Sequence, residues 1–106
     1  MNPLMLELTT ADFEKTIAHG KTVVDFWAPW CGPCRFFAPV YEAVAKEHKG
    51  ITFAKVNVDE HPEISGTYGV RGIPTTIFFQ DGKPIGKQVG AMDKSQFEDL
   101  LKQLYK

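Results

Sequence analysis

Residues 21–34, KTVVDFWAPWCGPC, contain the two features on which the fold and the chemistry of this chain depend. The first half, residues 23–27, is apolar on both alternating faces, which is typical of a central strand covered by helices. The second half is a Cys-x-x-Cys motif containing Pro33, a residue that suits the first turn of a helix. We therefore predict a strand that leads directly into a helix, with Cys31 and Cys34 at the junction.

The two cysteines have different predicted roles because they differ in position along the helix. Cys31 lies at the amino terminus, where free N–H groups and the positive end of the helix dipole favour a thiolate. Cys34 lies about one turn inward, where its sulfur reaches Cys31 but is shielded from solvent. The sequence thus predicts Cys31 as a nucleophile and Cys34 as the resolving thiol.

Two other interpretations of the cysteines were weighed. Together with His48 and His61 they supply four potential zinc ligands, but the spacing matches no familiar zinc finger. A purely structural disulfide is the other alternative, yet so short a loop would constrain the unfolded chain little. We therefore expect no metal site.

Hydrophobic periodicity divides the rest of the chain into alternating strands and helices. Four helices are predicted. The first begins at a Thr9 or Thr10 cap and ends near Gly20, and the second spans residues 33–50 with a kink at Pro39. The third occupies part of residues 60–68, and the fourth starts at Asp93 near the carboxyl terminus. The predicted later strands are residues 51–59, 75–80 and 85–89, with a hairpin at Asp81-Gly82 and Pro84 marking an edge strand. The order β-α-β-α-β-(α)-β-β-α predicts an α/β fold, a mixed central β-sheet with helices on both faces.

Length, charge and cysteine count exclude several classes of protein. The 106 residues suit one domain, residues 1–106, and the net charge of −1 without like-charge blocks favours neither nucleic acid nor a lipid surface as a partner. The amino terminus resembles no signal peptide, and no apolar run approaches the roughly 18 residues of a membrane span. With only two cysteines, a secreted disulfide framework is excluded, and we expect a cytoplasmic protein.

The segments FWAPWCGPC, FAKVNVD, YGVRGIPT, the DGK hairpin and VGA together resemble thioredoxins over essentially the full chain. The resemblance implies the thioredoxin fold, with about five strands and about four helices. It also implies general reduction of client disulfides, in which Cys31 attacks and Cys34 then closes the Cys31–Cys34 bond. Gly32 and Pro33 between the cysteines resemble the reducing members of the family, which implies a role in redox tuning.

The expected partners follow from the same resemblance. They are client proteins that contain disulfides and an NADPH-dependent thioredoxin reductase that restores the dithiol. The sequence has no Gly-rich dinucleotide turn, so we expect no bound cofactor, and we expect the chain to act as a monomer. The alternative function is a redox-independent docking subunit or chaperone that uses the same fold.

Asp25 is the one carboxylate in the predicted central strand, where an unpaired charge is costly. Strand alternation places Asp25 on one face of its strand and Lys55 on one face of the next, so the two side chains become neighbours if the strands pair. The resemblance implies that Asp25 accepts the proton of Cys34 and that Lys55 is its charge partner. A buried carboxylate satisfied by hydrogen bonds alone is the competing interpretation.

A surface for clients is implied by the resemblance as well. The Ile73-Pro74 bond is expected to be cis, and the backbone of Ile73 to pair with an extended client segment. The residues expected to form this flat docking surface with Ile73 and Pro74 are Trp30, Gly32, Pro33, Val89, Gly90 and Ala91. Trp27, by contrast, is interpreted as ordinary core packing.

Overall fold

The structure, a computed structural model, describes residues 5–106. Its elements are β1 (Met5–Glu7), α1 (Phe13–Ile17), β2 (Lys21–Trp27), α2 (Gly32–Glu47), β3 (Thr52–Asn57), α3 (Pro62–Thr67), β4 (Thr75–Gln80), β5 (Lys83–Val89) and α4 (Lys94–Leu104). The five strands form one mixed sheet in the order β1-β3-β2-β4-β5, with β1, β3 and β2 parallel and β4 and β5 antiparallel to their neighbours. The predicted α/β fold is therefore confirmed.

β2 is the central strand, and its alternating side chains explain why both of its faces are apolar. Val23 belongs to a core that α2 and α4 cover, whereas Val24 and Phe26 belong to a second core that α1 and α3 cover. Asp25 is two residues from Val23 and therefore faces the α2 side of the sheet. The strand thus carries Asp25 beneath the helix that begins with the Cys-x-x-Cys motif.

The hairpin and the closing helix form where their local sequence signals predict them. Asp81 and Gly82 both have positive φ, 50° and 86°, as a tight two-residue hairpin turn requires. β5 lies at the edge of the sheet and contains Pro84, whose missing N–H the edge tolerates. Asp93 caps α4 in a reciprocal capping box with Gln96.

The amino terminus of α1 differs from the prediction. The sequence predicts Thr9 or Thr10 as the cap, but the N-cap is Asp12, and the helix begins only at Phe13. The Asp12 carboxylate accepts a hydrogen bond from the Thr9 N–H at 2.6 Å, and the Thr9 carbonyl accepts from Asp12 and Phe13. A turn thus precedes the helix, because Asp12 bonds backward along the chain and leaves neither threonine at the cap.

Tyr41 is a fully buried tyrosine of α2 whose hydroxyl reaches the sheet. Its hydroxyl oxygen lies 2.9 Å from the Val23 carbonyl of β2 and 2.8 Å from the Ala54 carbonyl of β3. Burial raises the pKa of Tyr41 well above its ordinary value, so the hydroxyl keeps the proton that it donates. The contact fixes α2 over the junction of two parallel strands.

Tyr41→Phe is expected to lower the free energy of unfolding by about 1–2 kcal/mol, because a buried hydrogen bond is lost and its acceptors stay buried. Urea unfolding at pH 7 measures the loss. Tyr68→Phe is the matched control, since the hydrogen bond from the Tyr68 hydroxyl to Glu14 is long, at 3.5 Å, and lies at an exposed site. Equal stability of the Tyr41 variant and the wild type would contradict a structural role for the hydroxyl.

Candidate active site

Cys31 is the N-cap of α2, as predicted, and it is bonded to Cys34 in a disulfide. Its backbone is extended, with φ −84° and ψ 113°, and the next residue, Gly32, begins the helix. The Cys34 N–H points at the Cys31 sulfur at 3.1 Å, which is the hydrogen bond that a capping side chain accepts. An N–H donor and the helix dipole therefore both act on this sulfur and favour its thiolate form.

Both sulfurs are shielded in this oxidised state. Cys31 is only 4% exposed, and it packs with Cys34 and Ala28 in a small cluster that Trp27, Val58 and Ile73 adjoin. The Cys31 sulfur lies 3.8 Å from the carbonyl oxygen of Ile73. The main chain at Ile73 thus borders the sulfur that is predicted to be the nucleophile.

The predicted docking residues of the later strands meet beside this sulfur. The Ile73-Pro74 peptide bond is cis, as expected. Val89 of β5 pairs with Thr75, directly after Pro74, and the Gly90 N–H donates to the Pro74 carbonyl at 2.7 Å. Ala91 follows in the chain and is exposed. The antiparallel pairing of β4 and β5 therefore brings Ile73, Pro74, Val89 and Gly90 to one place.

Trp30 directly precedes Cys31, is 67% exposed, and lines a surface cavity together with Ile73. Its indole N–H donates to the Asp59 carboxylate at 2.8 Å, and the Asp59 N–H donates to the Asn57 side-chain oxygen at 3.0 Å. Sequence reasoning assigned no role to Asp59 or Asn57. The available signal was Asn57-x-Asp59 at the end of a strand, because an asparagine commonly bonds the backbone two residues ahead.

Asp25 is buried beneath α2 and is aligned with Lys55 on β3 and with Thr76 on β4. Within residues 5–106, neither carboxylate oxygen has a hydrogen-bond partner. Burial raises the pKa of Asp25 from 3.8 to about 7, and the positive charge of Lys55 opposes part of this rise. The carboxyl group can therefore exchange a proton near neutral pH, which a carboxyl group satisfied by hydrogen bonds could not do as readily.

Lys55 is aligned with Asp25, but its ammonium group contacts an aromatic ring. The nitrogen lies 4.6 Å from the centroid of the Trp27 ring, within the range of a cation–π interaction. In the described part of the chain no ion pair within 4.0 Å joins Lys55 to Asp25. Trp27 therefore packs against the cysteine cluster and also contacts the ammonium group of Lys55.

Two further findings concern metal ions and membranes. Over residues 5–106, no group of three or more His, Cys, Asp or Glu side chains is arranged to hold a metal ion. No helix in the same part of the chain has the length and apolar character needed to span a bilayer.

Comparison with known proteins agrees with this geometry. The thioredoxin family model matches residues 4–103. The chain is 52% identical to a thioredoxin of Mycoplasmoides gallisepticum over 77% of this chain and 82% of that protein. It is 47% identical to a thioredoxin of Alicyclobacillus acidocaldarius over 91% and 93% of the two chains, respectively. It is 42% identical to a thioredoxin of Pseudomonas aeruginosa over 95% and 96%.

The family match covers nearly the whole chain, and the Cys-x-x-Cys disulfide lies at the start of a helix in a mixed five-stranded sheet. The chain belongs to the thioredoxin family, and its Cys31–Cys34 pair makes it a dithiol–disulfide oxidoreductase.

Proposed function

We propose that this protein reduces disulfides of client proteins and is itself recycled by a reductase. The observation that supports the proposal is the position of Cys31 as the N-cap of α2. Its sulfur is bonded to the Cys34 sulfur and accepts a hydrogen bond from the Cys34 N–H. In the reduced protein, the Cys31 thiolate attacks a client disulfide and forms a mixed disulfide, which releases one client thiolate. The Cys34 thiolate then attacks the Cys31 sulfur and releases the second. The client gains two electrons and two protons, and the protein keeps the Cys31–Cys34 bond.

Asp25 is the proposed proton acceptor for Cys34. Its support is its burial beneath α2, the lack of a hydrogen-bond partner among the described residues, and a pKa raised to about 7 by that burial. A base with a pKa near the working pH takes up and returns a proton with little cost in either direction. Lys55 is the proposed charge partner, aligned with Asp25 across β2 and β3.

The proposed client surface surrounds the disulfide. Trp30 directly precedes Cys31, Val89 pairs with Thr75 beside Pro74, and both are exposed apolar side chains, at 67% and 58%. The Ile73 backbone beside the Cys31 sulfur supports pairing with an extended client segment. The remaining proposed contacts are Gly32, Pro33, Pro74, Gly90 and Ala91. Gly32 and Pro33 also set the backbone between the two sulfurs and so are proposed to tune the redox balance.

The proposed partners are disulfide-containing proteins and an NADPH-dependent thioredoxin reductase. We propose that residues 1–106 act as a single domain and a monomer in the cytoplasm, without a bound cofactor. The likeness of the chain to bacterial thioredoxins supports the reductase as the electron source. The net charge of −1 supports proteins rather than nucleic acid or membrane surfaces as partners.

Insulin reduction in the presence of dithiothreitol tests the proposal. The wild-type protein is expected to accelerate the precipitation of reduced insulin chains well above the rate with dithiothreitol alone. Cys31→Ser is expected to remove the acceleration, because Cys34 lacks the helix cap position that favours a thiolate at Cys31. Lys49→Ser, a change at an exposed residue remote in sequence, is the control. Equal acceleration by Cys31→Ser would overturn the role of Cys31, whereas no acceleration by the wild-type protein would support the redox-independent docking or chaperone function instead.

A further inference from the structure

Phe36 is the most exposed large apolar side chain of the described residues, at 74%. It lies in the second turn of α2, two residues after Cys34, in a helix whose buried face is formed by other residues. Phe37, the next residue, contributes to that buried face and contacts Phe97 at 5.6 Å between ring centroids. Core packing therefore accounts for Phe37 and leaves Phe36 without a packing role.

The helical spacing of α2 places Phe36 on the face that carries Gly32 and Pro33, the two residues between the cysteines. It follows Gly32 by four residues and Pro33 by three, the spacings at which helical side chains lie on the same face. Side chains on a helix lean toward its amino terminus, so the Phe36 ring leans toward Gly32. An added Cβ at Gly32 would meet nothing within 4 Å. The exposed, unobstructed surface at Gly32, here named the Gly32 shelf, thus lies on the same helix face as Phe36.

Arg35 adds a charge to this part of the helix. Its side chain is exposed, and within residues 5–106 no carboxylate lies within 4.0 Å of it. Three of the five exposed large apolar residues of the described chain, Trp30, Phe36 and Val89, belong to segments that border the cysteines. The helix side is therefore continuous with the proposed client surface, and it combines an aromatic ring with an unpaired cation.

We propose that Phe36 and Arg35 form a second client contact on the helix side of the disulfide, which selects client segments that carry a bulky apolar side chain next to a carboxylate. The apolar side chain lies on the Gly32 shelf against the Phe36 ring, and the carboxylate pairs with Arg35. This proposal rests on the proposed function and adds a preference for certain clients. Because both groups are solvated in the free protein, the contact acts on the encounter with clients and leaves the chemistry of the sulfurs unchanged.

Disulfide peptides measure this preference. In a Cys34→Ser background, the rate of mixed-disulfide formation is compared for peptides that carry Leu-Asp or Ser-Asn at one to four residues on either side of the attacked cysteine. At the best position we expect Leu-Asp to react about tenfold faster, the effect of burying most of one large apolar side chain. Phe36→Ser should remove most of this difference, and Arg35→Gln should remove its dependence on salt.

The controls separate this contact from other effects. Leu6→Ser changes another exposed apolar residue, 44% exposed on the edge strand β1, and should leave the preference intact. The reaction of each variant with hydroxyethyl disulfide, which is too small to reach Phe36, should match that of the parent protein. A preference that persists in Phe36→Ser, or one rate for every peptide, overturns the inference and leaves the proposed function standing. Failure of the parent protein to react with any peptide overturns the proposed function itself.

Discussion

Asp25→Ala is expected to raise the free energy of unfolding of the oxidised protein at pH 8. Burial raises the pKa of Asp25 from 3.8 to about 7, so the folded chain binds its proton more tightly than the unfolded chain does. Above pH 7 the folded chain must therefore hold a buried charge. The difference between the two pKa values corresponds to about 4 kcal/mol at high pH, an upper limit because the alanine leaves a small cavity.

The direction with pH follows from the same shift. The contribution of Asp25 to stability is fully present below pH 4 and is lost as the pH rises from about 4 to 7, the interval between the unfolded and folded pKa values. The gain in Asp25→Ala should therefore be largest at pH 8 and shrink toward pH 4. Denaturant unfolding at pH 4, 5, 6, 7 and 8 measures this gain in stability. The control is Thr76→Ala on the neighbouring strand, which changes an uncharged side chain and should show no such dependence on pH. A variant that is less stable than the wild type at pH 8 would show that Asp25 is a structural carboxylate.

The same variant has an expected kinetic effect. Without the proposed proton acceptor for Cys34, the mixed disulfide should be resolved more slowly, by a factor of about 10²–10⁴ for one general base. Stopped-flow measurement of client release between pH 6 and 9 tests this, since the deficit should diminish at high pH, where Cys34 ionises unaided. An unchanged rate at pH 7 would leave Asp25 with no part in the proposed cycle.

Cys34→Ser is expected to accumulate client proteins bound covalently to Cys31. The attacking thiol and its helix cap position remain, whereas the sulfur that lies next to Cys31 and breaks the mixed disulfide is gone. An intramolecular thiol outcompetes dissolved thiols by a large effective concentration, so the complexes should persist at least about a thousandfold longer in millimolar thiol.

Non-reducing electrophoresis after incubation with a disulfide-containing protein measures the trapped complex. Cys31→Ser is the matched control, because it keeps the buried thiol and loses the capping one. Trapping by Cys31→Ser to the same extent would reverse the assignment of the nucleophile and the resolving thiol.

Local signals predicted much of the fold from the sequence. The hairpin follows from Asp81-Gly82, since both residues tolerate positive φ, and α4 follows from the capping box of Asp93 and Gln96. The alignment of Asp25 with Lys55 follows from strand alternation once β2 and β3 pair. Each of these depends on residues close in sequence or on a strict period.

Contacts that depend on side-chain direction were not predicted. The cap of α1 is Asp12 rather than a threonine, because its carboxylate bonds backward to the Thr9 N–H. The ammonium of Lys55 lies over Trp27, although alignment alone suggested a pair with Asp25. Such choices among rotamers depend on the final packing, in which an aromatic ring and a carboxylate compete for one cation.

The disulfide joins the cap of α2 to its first turn, and this short span has a consequence for how long partners can stay bound. Oxidation and reduction change one S–S bond and two hydrogens within a single helical turn, so we expect both redox forms to present nearly the same surface around Cys31. If clients and the reductase both use that surface, the protein serves as a shuttle that must leave one before meeting the other. A residence time of about 10 ms, with an association rate constant of about 10⁶ M⁻¹s⁻¹, corresponds to a dissociation constant of about 100 μM. Rapid electron delivery by this protein thus requires weak non-covalent binding to every partner, with the mixed disulfide as the one durable bond.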